Sequence, residues 1–249
     1  MFIDQEKCIT CAKCLPVCPV AAIVVDKPTK TIVIDEQYCV ECGVCLRSDV
    51  CPTDSFFQPE LVWPRTVRAA LSNPLIVNKE TRIPGRGTEE MKTNDITGRF
   101  KPGHLGLALE MGRPGTGASF TDIQKVAQVI ASHDVEFCAE NPITFLMIDK
   151  KKGTINPEVM GERVLSGIIE FEIPISKAEA LIAGIKKVAA EVDTIFSVDV
   201  ISFVENDGRV PMFEIAEKNG ISLSPNGKNN MGLGKPLYKF YPTENKVRE

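Results

Sequence analysis

The sequence predicts an α+β protein in two unequal parts. One is a small cysteine-bearing domain over residues 1–58; the other is an α+β sandwich built from two βαββ units over residues 104–221. Two observations carry this. Eight of the nine cysteines lie between Cys8 and Cys51, in two tandem copies of one spacing. From residue 104 onward, alternating apolar residues give way to apolar residues three and four apart, and this succession occurs twice. The bulk properties agree with a soluble chain: 25% charged and 43% hydrophobic residues, with a net charge of −4. Residues 1–58 hold eight acids and five bases, hence −3; the remainder holds 25 acids and 24 bases, hence −1. Neither part has the basic excess of a nucleic-acid surface. No apolar run approaches the roughly eighteen residues needed to span a bilayer.

The first element in the chain is the cysteine pattern. It runs Cys8-x2-Cys11-x2-Cys14-x3-Cys18-Pro19 and then Cys39-x2-Cys42-x2-Cys45-x5-Cys51-Pro52. Three thiolates at every third position wrap one face of a 4Fe–4S cubane, while the fourth, ahead of a proline, lies too far along to close the same site and serves the other. The expected ligand sets are Cys8, Cys11, Cys14 and Cys51 for one cluster, and Cys39, Cys42, Cys45 and Cys18 for the second. Zinc sites favour two separated Cys-x2-Cys pairs, and disulfides need an oxidising compartment. Met1-Phe2-Ile3-Asp4 does not open a signal peptide, so a reducing cytoplasm is expected, in an anaerobic or microaerobic setting.

The copies also match outside the cysteines: Phe2-Ile3-Asp4 aligns with Val33-Ile34-Asp35, and Leu15 with Leu46, at an offset of 31. This pattern resembles the two-cluster bacterial ferredoxins, over about the first quarter of the chain. The five-residue gap before Cys51 is longer than that family's three. The resemblance implies short strands, expected at Met1–Ile3, Ile23–Val25, Thr31–Ile34 and Ser55–Phe57, around two clusters that stand in for a hydrophobic core. Ile9, Val17, Val20, Val40 and Val44 are expected to line those clusters.

Residues 59–103 form a connector and a Gly/Arg-rich arm. Arg65–Leu71 suits a short helix, and Leu61, Trp63, Leu75, Ile76 and Val77 are apolar enough to be packed. Residues 82–103 lack either period but are dense in Gly, Arg, Thr and Asn, as an ordered binding arm would be.

In the first βαββ unit Leu105, Leu107, Leu109 and Met111 alternate as a strand. Ile123, Val126, Ala127 and Ile130 make a helical stripe, and strands are expected at Val135–Cys138 and Thr144–Asp149. In the second, Ile169, Phe171, Ile173 and Ile175 alternate and Leu181, Ile185, Val188 and Val192 form the stripe. Strands are expected at Ile195–Val204 and Arg209–Ala216, across the turn Glu205-Asn206-Asp207-Gly208. Ser176 and Glu179 fit a capping box. Residues 222–249 revert to a loop or tail.

Outside the cysteines, the run Gly112-Arg113-Pro114-Gly115-Thr116-Gly117-Ala118-Ser119 sits between a strand and a helix. There Arg113, Gly115, Gly117 and Ser119 are a candidate anion site, against the alternative of a plain turn capped by Ser119 or Thr121. His104, His133 and Cys138 read as structural. The arm from Gly85 to Arg99, behind a two-cluster unit, resembles 6-hydroxynicotinate-reductase-type proteins. That likeness implies ferredoxin-linked reduction of a heteroaromatic acid, in longer chains with a further C-terminal region.

The expected function is single-electron transfer within a low-potential oxidoreductase. A redox partner protein or larger complex would complete it, with a flavin on the partner to join one- and two-electron steps, and a small carboxylic acid is the substrate class. The rivals are a complete reductase of an unsaturated or heteroaromatic carboxylic acid and a redox-responsive, effector-binding regulator.

Overall fold

A computed structural model describes residues 1–84, 100–113 and 115–223. The arm over residues 85–99 and the tail over 224–249 therefore lie outside the described residues, as does Pro114. No helix among the described residues is long and apolar enough to cross a membrane.

The N-terminal part holds two short antiparallel pairs. Strand β1 (Phe2–Ile3) pairs with β4 (Phe56–Phe57), and β2 (Ile23–Val25) pairs with β3 (Ile32–Ile34). The sequence repeat reappears in the backbone. Cys8 N–H donates to Asp4 O (3.0 Å) as Cys39 N–H does to Asp35 O (2.9 Å); Asp4 N–H bonds Ser55 O (2.8 Å) as Asp35 N–H bonds Ala22 O (2.7 Å). Each strand pair thus contains one strand from either copy, which gives the part its approximate twofold character. Its buried apolar set is small: Met1, Ala22, Ile23, Ile32, Cys39, Val40, Cys42 and Phe56. A core of that size stabilises little by itself.

The connector forms the helix Thr66–Ser72, one residue along from the expected span. Its Val67 and Leu71 join the main core of the molecule, and Ser72 Oγ accepts from Leu165 N–H at 2.8 Å. The flanking apolar residues behave otherwise than expected: Leu75 is 71% exposed, and Trp63 and Val77 are also exposed. The helix supplies the packing, so its flanks are free to meet water.

The main sheet has the order β12-β5-β11-β7 and is antiparallel throughout. Its strands are β5 (His104–Met111), β7 (Glu136–Phe137), β11 (Gly167–Pro174) and β12 (Phe196–Ser202). The small strand β6 (Ala118–Ser119) pairs elsewhere, with β10 (Arg163–Val164). Strict alternation divides the sheet's faces. Leu105, Leu107, Leu109 and Met111 of β5 and Ile169, Phe171 and Ile173 of β11 share one core with the helices Phe120–Ala131 and Ile175–Ala189. The opposite face carries Ala108 and Ile168, with Phe100, Cys138, Ile201 and Phe203 beside them.

Three expectations are corrected here. Thr144–Asp149 is not one strand: Asn141 caps a helical turn, Pro142–Phe145, before β8 (Met147–Asp149) makes a hairpin with β9 (Thr154–Ile155) off the main sheet. Arg209–Ala216 is not a strand but the start of the helix Pro211–Lys218. Proline at its first turn favours a helix start, and Met212, Ile215 and Ala216 fall on one buried face. Ser176 lies inside the helix Ile175–Ala189, whose cap residue is Pro174 with no side-chain cap bond. Each repeat therefore gives βαβ to the sheet, in the split β-α-β order.

Candidate functional site

The eight motif cysteines line two separate cavities. Ile3, Cys8, Ile9, Cys11, Ala12, Cys14, Ile32, Val50, Cys51 and Phe56 bound the first. Cys18, Val20, Ala22, Ile23, Ile34, Cys39, Val40, Cys42 and Cys45 are among the walls of the second. Each is lined by four of the cysteines and a shell of apolar side chains. In both, the cysteine that precedes proline comes from the opposite copy. Ile9, Val20 and Val40 are at the walls as expected; Val17 and Val44 are not among them.

The loops that carry the cysteines have matched conformations. Left-handed backbone occurs at Thr10 (φ 51°) and Glu41 (φ 55°), at Ala12 (φ 59°) and Gly43 (φ 68°), and at Ala21 (φ 52°) and Asp54 (φ 47°). Such φ values at non-glycine residues persist where surroundings impose them, and they cluster at functional loops. Here four of the six positions lie between successive cysteines, and Ala21 and Asp54 each follow the trailing cysteine by three residues. The trailing thiols are matched too: Cys18 Sγ accepts from Ala22 N–H at 3.2 Å and Cys51 Sγ from Ser55 N–H at 3.3 Å.

Burial pushes the thiols of Cys14, Cys39 and Cys42 above their ordinary range. Burial, with the crowded thiols of Cys42, Cys39 and Cys18, pushes Cys45 up to about 12. For Cys51 burial acts upward as well, but donors from Ser55 and Thr53 outweigh it and bring the thiol down to about 7. Ionising most of these sulfurs needs a neighbouring cation, and a bound metal group supplies one.

A family model for the 4Fe-4S dicluster domain matches residues 1–58. An uncharacterized ferredoxin of Methanocaldococcus jannaschii is 35% identical over 57 residues, covering 22% of this chain and 71% of that protein. The chain belongs to the dicluster ferredoxins. Pyruvate synthase subunit PorD of Methanothermobacter marburgensis is 41% identical to the ferredoxin portion over 51 residues, 20% of this chain and 54% of that subunit. No solved structure matches the chain. Residues 1–58 are thus a ferredoxin-like electron-transfer domain for iron–sulfur clusters.

The second cavity of this ferredoxin domain faces the sheet region. Gly117 has φ 74°, and a Cβ there would stand 3.1 Å from Val20 Cγ1 and 3.9 Å from Val40 Cγ1, both in the cavity's wall. Arg68, 4% exposed, donates through Nη1 to Glu36 O (2.9 Å) and Cys39 O (2.6 Å) and forms an ion pair with Glu162 from the sheet side. Arg47 donates through Nη2 to Cys42 O (2.9 Å) and through Nη1 to Asn73 Oδ1 (3.1 Å). Glu41, between Cys39 and Cys42, is wholly buried and accepts from Arg65 Nε (2.8 Å), Gln58 Nε2 (3.1 Å) and the Met1 amino group (2.7 and 2.8 Å). The first cavity faces outward, with Cys11 and Ile9 exposed.

The other candidate residues have partners within the fold. Arg113 pairs with Glu110 at 3.1 Å. Ser119 caps the helix Phe120–Ala131, accepting from Asp122 N–H (3.1 Å) and donating to Asp122 Oδ2 (2.8 Å). A carboxylate thus stands where an anion would bind. Gly117 O accepts from Thr194 Oγ1 at 2.7 Å, and Gly115 (φ 49°) has open space around it. These positions make a capped turn packed against the ferredoxin domain. Cys138 is buried on the sheet's second face, away from the motif cysteines.

Sequence reasoning missed Arg47, Arg68 and Glu41, and also the buried carboxylates Glu170 and Glu172. Asn141, fully buried, donates to Glu170 Oε2 at 2.8 Å, and Lys101 pairs with Glu172 at 3.0 Å. In Ile168-Ile169-Glu170-Phe171-Glu172-Ile173 the acids hold the polar positions of an alternating strand, a pattern that ordinarily marks a solvent face.

Proposed function

We propose that this chain is an iron–sulfur electron-transfer protein, or the electron-transfer subunit of a low-potential oxidoreductase, that passes single electrons through two 4Fe–4S clusters. Cys8, Cys11, Cys14 and Cys51 hold one cluster in this reading, and Cys39, Cys42, Cys45 and Cys18 the other. The observation that carries it is the division of eight thiols between two separate cavities, four to each. Three cysteines in successive x2 steps, with a fourth from the other copy, are an awkward tetrahedral set for zinc. Thiols that ring a space instead of a point favour a polynuclear group over zinc.

Bound there, the clusters supply one-electron chemistry. The chain's residues supply the ligand thiolates, the N–H donors from Ala22 and Ser55, and apolar walls that exclude water and bear on the potential. The likeness to a pyruvate synthase subunit supports a place in a multi-subunit enzyme, with a flavin or other two-electron group on a partner. A small carboxylic acid remains the substrate class proposed for that assembly.

Anaerobically purified protein should contain about eight irons and about eight acid-labile sulfides per chain. Its visible absorption should bleach on reduction, and a paramagnetic signal should appear. Four or fewer irons, or zinc in their place, would overturn the reading.

A further inference from the structure

The two cavities are alike in lining and unlike in charge. Around the second, three guanidiniums, Arg47, Arg65 and Arg68, face two buried or nearly buried carboxylates, Glu41 and Glu162. Glu36 adds only an exposed contact to Arg65 at 3.8 Å. Arg47 has no carboxylate partner among the described residues, and its Nη2 donates directly into the carbonyl of a motif cysteine. Arg68 does the same to Cys39 from a buried position. Around the first cavity, Lys7 is exposed and paired with Asp4 at 3.6 Å, and Lys13 lies beside Cys14. Among the described residues, no cationic side chain donates to a carbonyl of Cys8, Cys11, Cys14 or Cys51.

The repeat explains the difference residue by residue. At the offset of 31, Arg47 corresponds to Pro16 and Gly43 to Ala12. A Cβ at Gly43 would stand 2.5 Å from Arg47 Nη1, so the glycine leaves the space across which the arginine lies. In the first copy the loop has that Cβ, and the arginine position is proline. The clamp is therefore a property of one copy only.

We infer that Arg47 and Arg68 make the second site the resting place of the electron, with the first site as its entry. This rests on the two-cluster reading above. A cation hydrogen-bonded to a ligand's backbone stabilises the added negative charge of the reduced state and so raises the potential. The transfer is of one electron: the first site is oxidised as the second is reduced, no bond is made or broken, and an external one-electron reductant replenishes the first. The geometry suits this direction, because the first site opens to solvent at Cys11 and Ile9 while the second lies against the sheet region.

The test is a dye-mediated redox titration of the full chain, reduced with dithionite and followed by electron paramagnetic resonance. Two one-electron steps are expected. Arg47→Gln, an exposed position that should fold normally, lowers the upper step by up to about tenfold in equilibrium constant, or roughly 59 mV for one electron. Glu162→Gln removes the carboxylate opposite Arg68 and raises that same step. Neither variant moves the lower step, and Arg47→Lys retains most of the wild-type value. If Arg47→Gln moves the lower step, moves both equally or moves neither, while two clusters are present, this inference fails and the two-cluster reading stands. A wild-type protein with fewer than two clusters overturns both.

Discussion

The two cavities share a backbone but not a setting. Thr10 and Glu41 have the same φ to within a few degrees, yet Thr10 faces outward and Glu41 is wholly enclosed by Arg65, Gln58 and the Met1 amino group. One site keeps its loop at the surface; the other has been covered by a connector helix and by the turn around Gly117. The difference teaches that spacing determines which group is held, while neighbours outside the motif determine its electrical surroundings. Each copy can therefore serve as the control for the other.

The largest effects are expected from crossing the copies. Cys18→Ala should damage the centre held by Cys39, Cys42 and Cys45, and Cys51→Ala the one held by Cys8, Cys11 and Cys14. Iron content should fall by about half in each case. If the paramagnetic spectrum shows that each change harms its own copy, the ligand sets have been drawn wrongly.

Next comes the charge that joins the second site to the sheet region. Arg68→Ala removes the partner of Glu162 and the contacts of Nη1 with the Glu36, Gln37 and Cys39 carbonyls. A loss of about 3 kcal/mol is expected from denaturant unfolding, as for other broken buried pairs. A loss below about 1 kcal/mol would place little weight on this contact.

A reciprocal exchange sharpens the comparison at smaller cost. Gly43→Ala puts a Cβ on a left-handed backbone and against Arg47, and should destabilise by about 1–2 kcal/mol. Ala12→Gly relieves the same backbone preference at φ 59° and should be neutral or stabilising by up to about 1 kcal/mol. Changes equal in size and opposite in sign would mean that the two loops are equivalent and that the contact with Arg47 adds nothing. The smallest effect belongs to Cys138→Ser, which should leave iron and sulfide content unchanged, since Cys138 lines neither cavity.

The ferredoxin domain was legible because its ligand chemistry is local: eight thiols at fixed steps, with Pro19 and Pro52 behind two of them. Strands β5 and β11 and the two long helices were legible for a different reason, since each buries one face and shows its period. The short elements were not. Pro142–Phe145 and Pro211–Lys218 are too brief for three-residue spacing to stand apart from alternation, and their prolines were the better guide. Arg68 was hidden by distance, since it meets Glu162 across 94 residues and its role depends on how two parts of the chain pack. Glu170 and Glu172 were hidden by pattern, because alternation distinguishes the two faces of a strand without saying which of them water reaches.

The shared walls of the cavities bear on how the chain is made. Cys18 reaches forward to a cavity whose other three cysteines follow it, and Cys51 reaches back to one whose other three cysteines precede it. During synthesis the second cavity gains its last cysteine when residue 45 emerges, and the first only when residue 51 does. Neither can be walled completely by a chain that stops at the end of the first copy. Both gain their full set of cysteines within six residues of each other, so the domain acquires all its ligands almost in one step, late in its own translation.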